Sequence, residues 1–206
     1  MFDSRKYRPD DPALVAAFLR EQRHATLITA RPGEPPEASI LPFVLLDDDT
    51  VELHCVRADA TFRAAREHEH VSLLVSDFLA FTPHHWMDPV DGSEGTLHFQ
   101  AVLLRGTATV SEDPADVANA LQRLTESYGH GPELAPIVDD DRYGPQLRRL
   151  GVVRIAVTDR QAKFKVGMGT TSQRLDTARR LRARDLPGDG RAADTIERLA
   201  PLLARD

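Results

Sequence analysis

The chain has 206 residues, 41% of them hydrophobic, a formal net charge of −6 and a single cysteine. That length and apolar content suffice for one domain with a small appendage and a sizeable core, while the acidic balance argues against a surface that holds nucleic acid or anionic membrane by charge alone. Cys55 alone excludes an internal disulfide, and no stretch reaches the roughly 18 apolar residues of a membrane span, so a cytoplasmic protein without signal peptide or anchor is expected.

Asp10-Asp11-Pro12 opens a short helix: aspartate caps it, proline fits an early helical position, and Leu14, Ala17 and Phe18 make an apolar stripe. From His24 the pattern becomes that of strands, at 25–30, 38–46, 51–57, 71–76 and 97–110. The turns at 31–36 and at Asp47-Asp48-Asp49 are short enough to join antiparallel neighbours. Cys55 lies in the apolar run Val51-Glu52-Leu53-His54-Cys55-Val56, which predicts a buried and inert thiol. Asp59 caps one or two helical turns over 60–67, and Gly106 marks a bulge or bend in the longest strand, of the kind that turns a barrel corner.

Asp113-Pro114 opens a second helix, with Val117, Leu121 and Leu124 facing the core and Gly129 ending it. A short helix at 145–150, a strand at 152–158, a separate lysine-bearing strand at 162–166 and two arginine-rich helices within 172–204 complete the chain. Six or seven strands with few helices predict a mainly β (α+β) fold whose antiparallel sheet closes into a small barrel, with a β-sandwich as the alternative that periodicity does not separate. The expected division is a barrel domain over 1–170 and a helical appendage over 171–206.

Two of the three lysines, Lys163 and Lys165, flank Phe164. On a strand they share one face, with ammonium groups about 7 Å apart and the ring turned into a core. Such a pair suits an anionic ligand; equally, lysines line the wet face of a strand.

Six segments stand out by their order and spacing: Ala25-Thr26-Leu27-Ile28-Thr29, the run Ala38-Ser39-Ile40-Leu41-Pro42-Phe43-Val44-Leu45-Leu46, His54-Cys55-Val56-Arg57-Ala58-Asp59, Phe81-Thr82-Pro83-His84-His85-Trp86, Arg105-Gly106-Thr107-Ala108 and Lys163-Phe164-Lys165. Together they resemble the PaiB-like family of FMN-binding split-barrel proteins, a family described as negative transcriptional regulators. The resemblance implies an antiparallel split barrel with peripheral helices, a homodimer, and FMN at the subunit interface. Four positions depart from the family pattern: Ser39-Ile40 in place of an Asn-His pair, Asp59 in place of Asn, Leu97-His98-Phe99 in place of Trp-Asn-Tyr, and Gly167-Met168-Gly169 in place of Ser-Gln-Asn. These changes remove polar groups, which leaves open another phosphate-bearing small molecule, or a barrel that acts through protein contacts.

A flavin mononucleotide needs cationic or amide donors for its phosphate, a slot for a flat ring, and donors at the ring's polar edge. Arg57, next to Ala58 and the helix start at Asp59 and Thr61, is a candidate for the phosphate, as are Lys163 and Lys165, although the Asp59 carboxylate competes for the same amides. Ile40, Leu41 and Pro42 offer an apolar wall, with Val56 beside it and Trp86 as a cap; such residues also serve simply as core. His54 and His98 lie on predicted strands within the resembling segments, and serve equally well as satisfied polar residues of a barrel wall. The clusters His68-Glu69-His70 and His84-His85 lack metal-ligand spacing, and no nucleophile or phosphate-loop motif appears. The arginines at 174, 179, 180, 182 and 184 are the only concentrated positive charge on which DNA binding by a transcriptional regulator would rest, and they too read as a solvated helix face.

Overall fold

β-Branched and apolar residues at alternate positions build six strands among the described residues, which are 7–47, 49–129, 135–167 and 169–203 of this computed structural model. Residues 1–6, Asp48, Met168 and Ala204, on which some of the expectations above fall, lie outside the described residues. The elements are α1 (Pro12–Glu21), β1 (His24–Thr29), β2 (Glu37–Leu45), β3 (Thr50–Val56), α2 (Ala60–Glu67), β4 (His70–Thr82), β5 (Thr96–Ser111), α3 (Pro114–Tyr128), α4 (Gly144–Leu147), β6 (Leu150–Lys165), α5 (Thr171–Arg184) and α6 (Asp189–Leu199). The chain divides into two compact units, one of residues 16–75 and 103–160, the other of residues 1–15, 76–102 and 161–206.

In the first unit the strands follow the order β1-β2-β3-β6-β5-β4 and close into a barrel, with Thr26 of β1 opposite Leu74 of β4. The registered pairs β1–β2, β2–β3, β3–β6 and β1–β4 are antiparallel. Closure removes the open edges that a sandwich would leave, and the sandwich alternative is set aside. Leu27, Phe43, Leu53, Phe62, Leu73, Leu104, Val153 and Ile155 are buried, each worth about 1.5–3 kcal/mol of transfer free energy. Gly106 carries no side chain because β6 passes directly over it: a Cβ there would lie 2.1 Å from the Ala156 carbonyl oxygen. Helix α3 starts as its sequence dictates, with Asp113 accepting from the amides of Ala115 and Asp116 and Pro114 at its first position. Its face of Val117, Ala118 and Ala120 packs with Leu147, Leu150 and Val152.

A buried carboxylate ties this unit together. Glu52 of β3 accepts from Arg123 Nε at 2.9 Å, Arg123 Nη2 at 2.6 Å and Arg154 Nε at 2.8 Å, and Arg154 also donates to Asp116.

The second unit takes up the later part of β4, the early part of β5 and the last turn-ward residues of β6, together with α5 and α6. Ala178, Leu181, Ala192, Ala193, Ile196 and Leu199 are buried on the helix pair, Val102 and Phe164 on the strands, and Val166 just past the end of β6. Two strand expectations are corrected. β4 runs to Thr82, well past 76, and β6 is continuous from Leu150 to Lys165 where two strands were expected. In both, exposed polar residues (Ser76 in β4; Asp159 and Arg160 in β6) interrupt the apolar pattern without interrupting the strand.

Candidate functional site

In the second unit, strand alternation buries Phe164 at 1% exposure and leaves Lys163 and Lys165 half-buried on the opposite face. Their Nζ atoms stand 5.7 and 5.8 Å from the centroid of the Tyr7 ring, and Lys163 Nζ is 5.9 Å from that of Phe99. Two cations and two aromatic rings thus share one place.

Beyond Lys165 the chain turns through Gly167, at φ +69, where a Cβ would meet Cγ of Arg174 at 2.5 Å; only glycine combines that left-handed backbone with that approach. Thr170 then starts α5 with a capping box, its hydroxyl accepting from the Gln173 amide while the Gln173 side chain accepts from the Thr170 amide. One residue on, Arg174 is 5% exposed, and its Nε and Nη1 have no acceptor among the described residues. Leaving a buried donor unsatisfied costs on the order of 1–3 kcal/mol, and more for a charged group. Burial pushes the guanidinium pKa down, with the Tyr7 phenol acting in the opposite sense.

His98 of β5 lies beneath this turn, fully buried. Its Nδ1 accepts from the Gly167 amide at 3.1 Å, which places the proton on Nε2, 2.9 Å from the Thr82 hydroxyl. Burial first, then the charge of Lys165, holds its pKa down to about 4. Both ring nitrogens of His98 are thus used within the protein, and the residue fixes the Gly167 turn. Trp86 is half-buried in a 3₁₀ turn at His84–Trp86, with the Arg184 guanidinium carbon 5.2 Å from its ring centroid. Arg184 is itself held by Asp189 and by the Phe81 carbonyl.

In the first unit, the structure gathers the other group of expected residues where β2 meets the start of α2. The Ser39 hydroxyl donates to the Asp59 carboxylate at 3.1 Å, bringing Ile40, Leu41 and Pro42 towards the segment Val56-Arg57-Ala58. Ile40 is 71% exposed and Val56 45% exposed, so they form surface and not core. Asp59 accepts from the Thr61 amide at 2.9 Å and the Thr61 hydroxyl at 2.7 Å, which together with Ser39 lowers its pKa against the opposing effect of burial. Arg57 donates from Nε to the Leu150 carbonyl at 2.7 Å and from Nη1 to Glu112 at 3.3 Å. Where the phosphate seat was expected, the Thr61 amide is met by Asp59 and the Arg57 guanidinium by Leu150 and Glu112. His54, paired with Val152 across β3 and β6, has its pKa lowered chiefly by burial.

Trp86, His98, Lys163 and Lys165 belong to one unit and the remaining candidates to the other. Tyr7, beside the lysines, and the buried Arg174 were not among the expected site residues. Arg174 was read as part of a solvated face, and its neighbours in sequence do behave so: Arg179 and Arg180 pair with Asp176, and Arg182 with Asp194 and Glu197. The signal that sets Arg174 apart is Gly167 and Gly169 just upstream, both at positive φ.

A family model described as "Putative FMN-binding domain" matches residues 1–159. Comparison with curated protein sequences gives no match. Among solved structures, the chain is similar to the flavocytochrome Anf3 from Azotobacter vinelandii, at TM-score 0.60 and 21% identity over 76% of this chain and 68% of that one. It is also similar to the FAD and heme binding protein from Mycobacterium smegmatis, at TM-score 0.62 and 17% identity over 78% of this chain and 74% of that one. A conserved hypothetical protein from Mycobacterium tuberculosis aligns at TM-score 0.56 and 19% identity, over 80% and 91% of the two chains. At these identities the likeness concerns the fold.

Proposed function

Because the chain belongs to the FMN-binding domain family, we propose that it is a PaiB-like, homodimeric split-barrel protein that uses FMN in a redox or sensing role. The observation that carries this reading is the gathering of Lys163 and Lys165 about the Tyr7 ring with Phe99 alongside, cations and flat apolar surface in one place. The residues fit a phosphorylated aromatic ligand. The orphaned nitrogens of Arg174 are what a phosphate would satisfy, and the ammonium groups suit the same anion. The helix start at Asp59 does not fit one, being closed by its own carboxylate.

Lys163 and Lys165 would hold the cofactor's charged end, with Tyr7 and Phe99 beside its apolar part. When bound, FMN supplies hydride and one-electron transfer, and the protein contributes orientation and electrostatics. The exposed Ile40 and Val56, on segments joined by the Ser39–Asp59 bond, support a second copy as the partner. The paired arginines of α5 give the DNA-binding alternative no support.

Three measurements test the reading. Freshly purified protein should show a flavin absorption spectrum or quench the fluorescence of added FMN. FMN at 100 times its dissociation constant should stabilise by about 2.7 kcal/mol, raising the melting temperature by about 5–10 °C for a chain of this size. Sedimentation should give a dimer, lost when Ile40→Asp is introduced. Colourless protein indifferent to FMN would end the cofactor reading, and a monomeric wild type the dimer reading.

A further inference from the structure

Helices α5 and α6 pack on each other, and arginine side chains fasten the pair to β4. The registered pairing of β1 with β4 ends at Leu74. Further along β4, the Phe78 carbonyl accepts from Arg191 of α6 at 2.7 Å and the Phe81 carbonyl from Arg184 of α5 at 2.8 Å, while Arg191 also pairs with Asp77. At the opposite end of α5 the chain arrives through Gly167, whose amide donates to His98 Nδ1 at 3.1 Å. The helix pair is thus held at two places, a set of arginine contacts and a single bond to a histidine.

At the second place, two groups are held in states that contact with water would reverse. Arg174 is 5% exposed, and with Nε carrying one hydrogen and Nη1 two, three of its five N–H bonds are buried without an acceptor among the described residues. Water would satisfy all three, so in the ligand-free chain the closed arrangement is the costlier one for this side chain. His98 is fully buried and neutral, and a proton on Nδ1 would remove the acceptor that holds Gly167. The charged groups facing the ring are Lys165 of β6 and Arg184 of α5, the latter paired with Asp189 of α6; on the β4 side it meets the Thr82 hydroxyl. Burial first, then the Lys165 charge, keeps the proton off, with Arg184 adding to them and a hydrogen bond with the Lys165 backbone opposing. We propose that α5 and α6 form a strap that opens as one unit while the barrel stays folded, that the buried charge of Arg174 drives it towards opening, and that a proton on His98 releases it. The strap needs no bound flavin.

The test is amide hydrogen exchange on the full chain without added ligand, resolved by peptide and corrected for the intrinsic rate at each pH. In the wild type at pH about 7.5, the amides of α5 and α6 should exchange together and ahead of those of β1, β2 and β3. Lowering the pH to about 5.5 should raise the opening constant of the helix pair about 10-fold, because the open state takes up the proton at an ordinary 6.5 and the closed state only near 4. Residues 171–206 contain no histidine, and His54 stays buried in the other unit, so in His98→Gln this rise should vanish. Arg174→Met, which keeps an aliphatic stem and removes the charge, should lower the opening constant by about 5- to 100-fold at every pH. Arg191→Ala, which frees the Phe78 carbonyl and Asp77, should raise it by about 10-fold without changing its pH dependence. These two variants carry the test if His98→Gln does not fold. Helix amides that exchange only in step with β1, β2 and β3, a pH rise that persists in His98→Gln, or an opening constant that Arg174→Met leaves unchanged or increases would each overturn the strap.

Discussion

His98 makes stability depend on pH in a window that few other groups share. Its folded pKa is held down to about 4, against an ordinary 6.5, because the buried ring would have to carry its charge next to Lys165 and lose Nδ1 as the acceptor for Gly167. The unfolded chain therefore binds the proton first. The contribution is fully present above the unfolded pKa and is lost as pH falls from about 6.5 to about 4. That interval, at about 1.4 kcal/mol per pH unit, corresponds to about 3 kcal/mol. His54 acts in the same direction, so the wild-type slope alone does not isolate the effect, and the comparison is with His98→Gln. Urea unfolding at a series of pH values from near neutrality to about 4.5 should give a wild type that loses stability more steeply than the variant, the difference reaching about 2–3 kcal/mol at the acid end. The lowered carboxylates Asp59, Asp116 and Asp189 lose their contributions only below their unfolded value of 3.8, outside that range. Parallel curves for the two proteins across the whole range would refute the buried, neutral His98.

Other consequences follow from single contacts. Glu52→Ala removes the acceptor of three charge-assisted hydrogen bonds and leaves two guanidinium groups facing each other; discounted for their partial exposure, the loss should be about 2–4 kcal/mol by urea unfolding, and larger than for Arg123→Ala, which leaves Glu52 paired with Arg154. Gly106→Ala drives a methyl group into the Ala156 carbonyl and should cost about 3 kcal/mol, whereas Gly190→Ala, on an exposed helical position with open space around it, should stabilise by about 0.5–1 kcal/mol; thermal melts of the two variants check the contrast. The Cys55 thiol, buried and with its pKa pushed up to about 12 chiefly by burial, should react with an aromatic disulfide reagent only as fast as the protein unfolds, and rapid labelling of native protein would contradict this.

What the amino-acid order revealed tracks how local the determining physics is. Asp59, Asp113 and Gly129 mark helix ends through contacts with their own neighbours, and each stands at the end it signalled. The alternation of Lys163, Phe164 and Lys165 is likewise a property of a few consecutive residues, and the burial follows it. The extents of β4 and β6 were underread because continuation past Ser76 and through Asp159 and Arg160 depends on pairing with distant strands, and a polar residue on the wet face does not break a ladder.

Arg57 and Arg174 show the same division on a pair of like side chains. Arg57 precedes α2 and Arg174 stands in the first turns of α5, so each is an arginine near a helix start. What separates them is where their N–H groups end. The Leu150 carbonyl and Glu112, 93 and 55 residues away in sequence, satisfy Arg57. At Arg174 no comparable group from elsewhere in the described chain arrives, and Gly167 gives it room to be buried. An isolated guanidinium in water is satisfied wherever it lies, so the difference arises only on folding, when long-range contacts decide which donors are met and which are left for a ligand. Gly167 is the local trace of that decision, because a Cβ there would lie 2.5 Å from Arg174 Cγ and the two could not keep these positions.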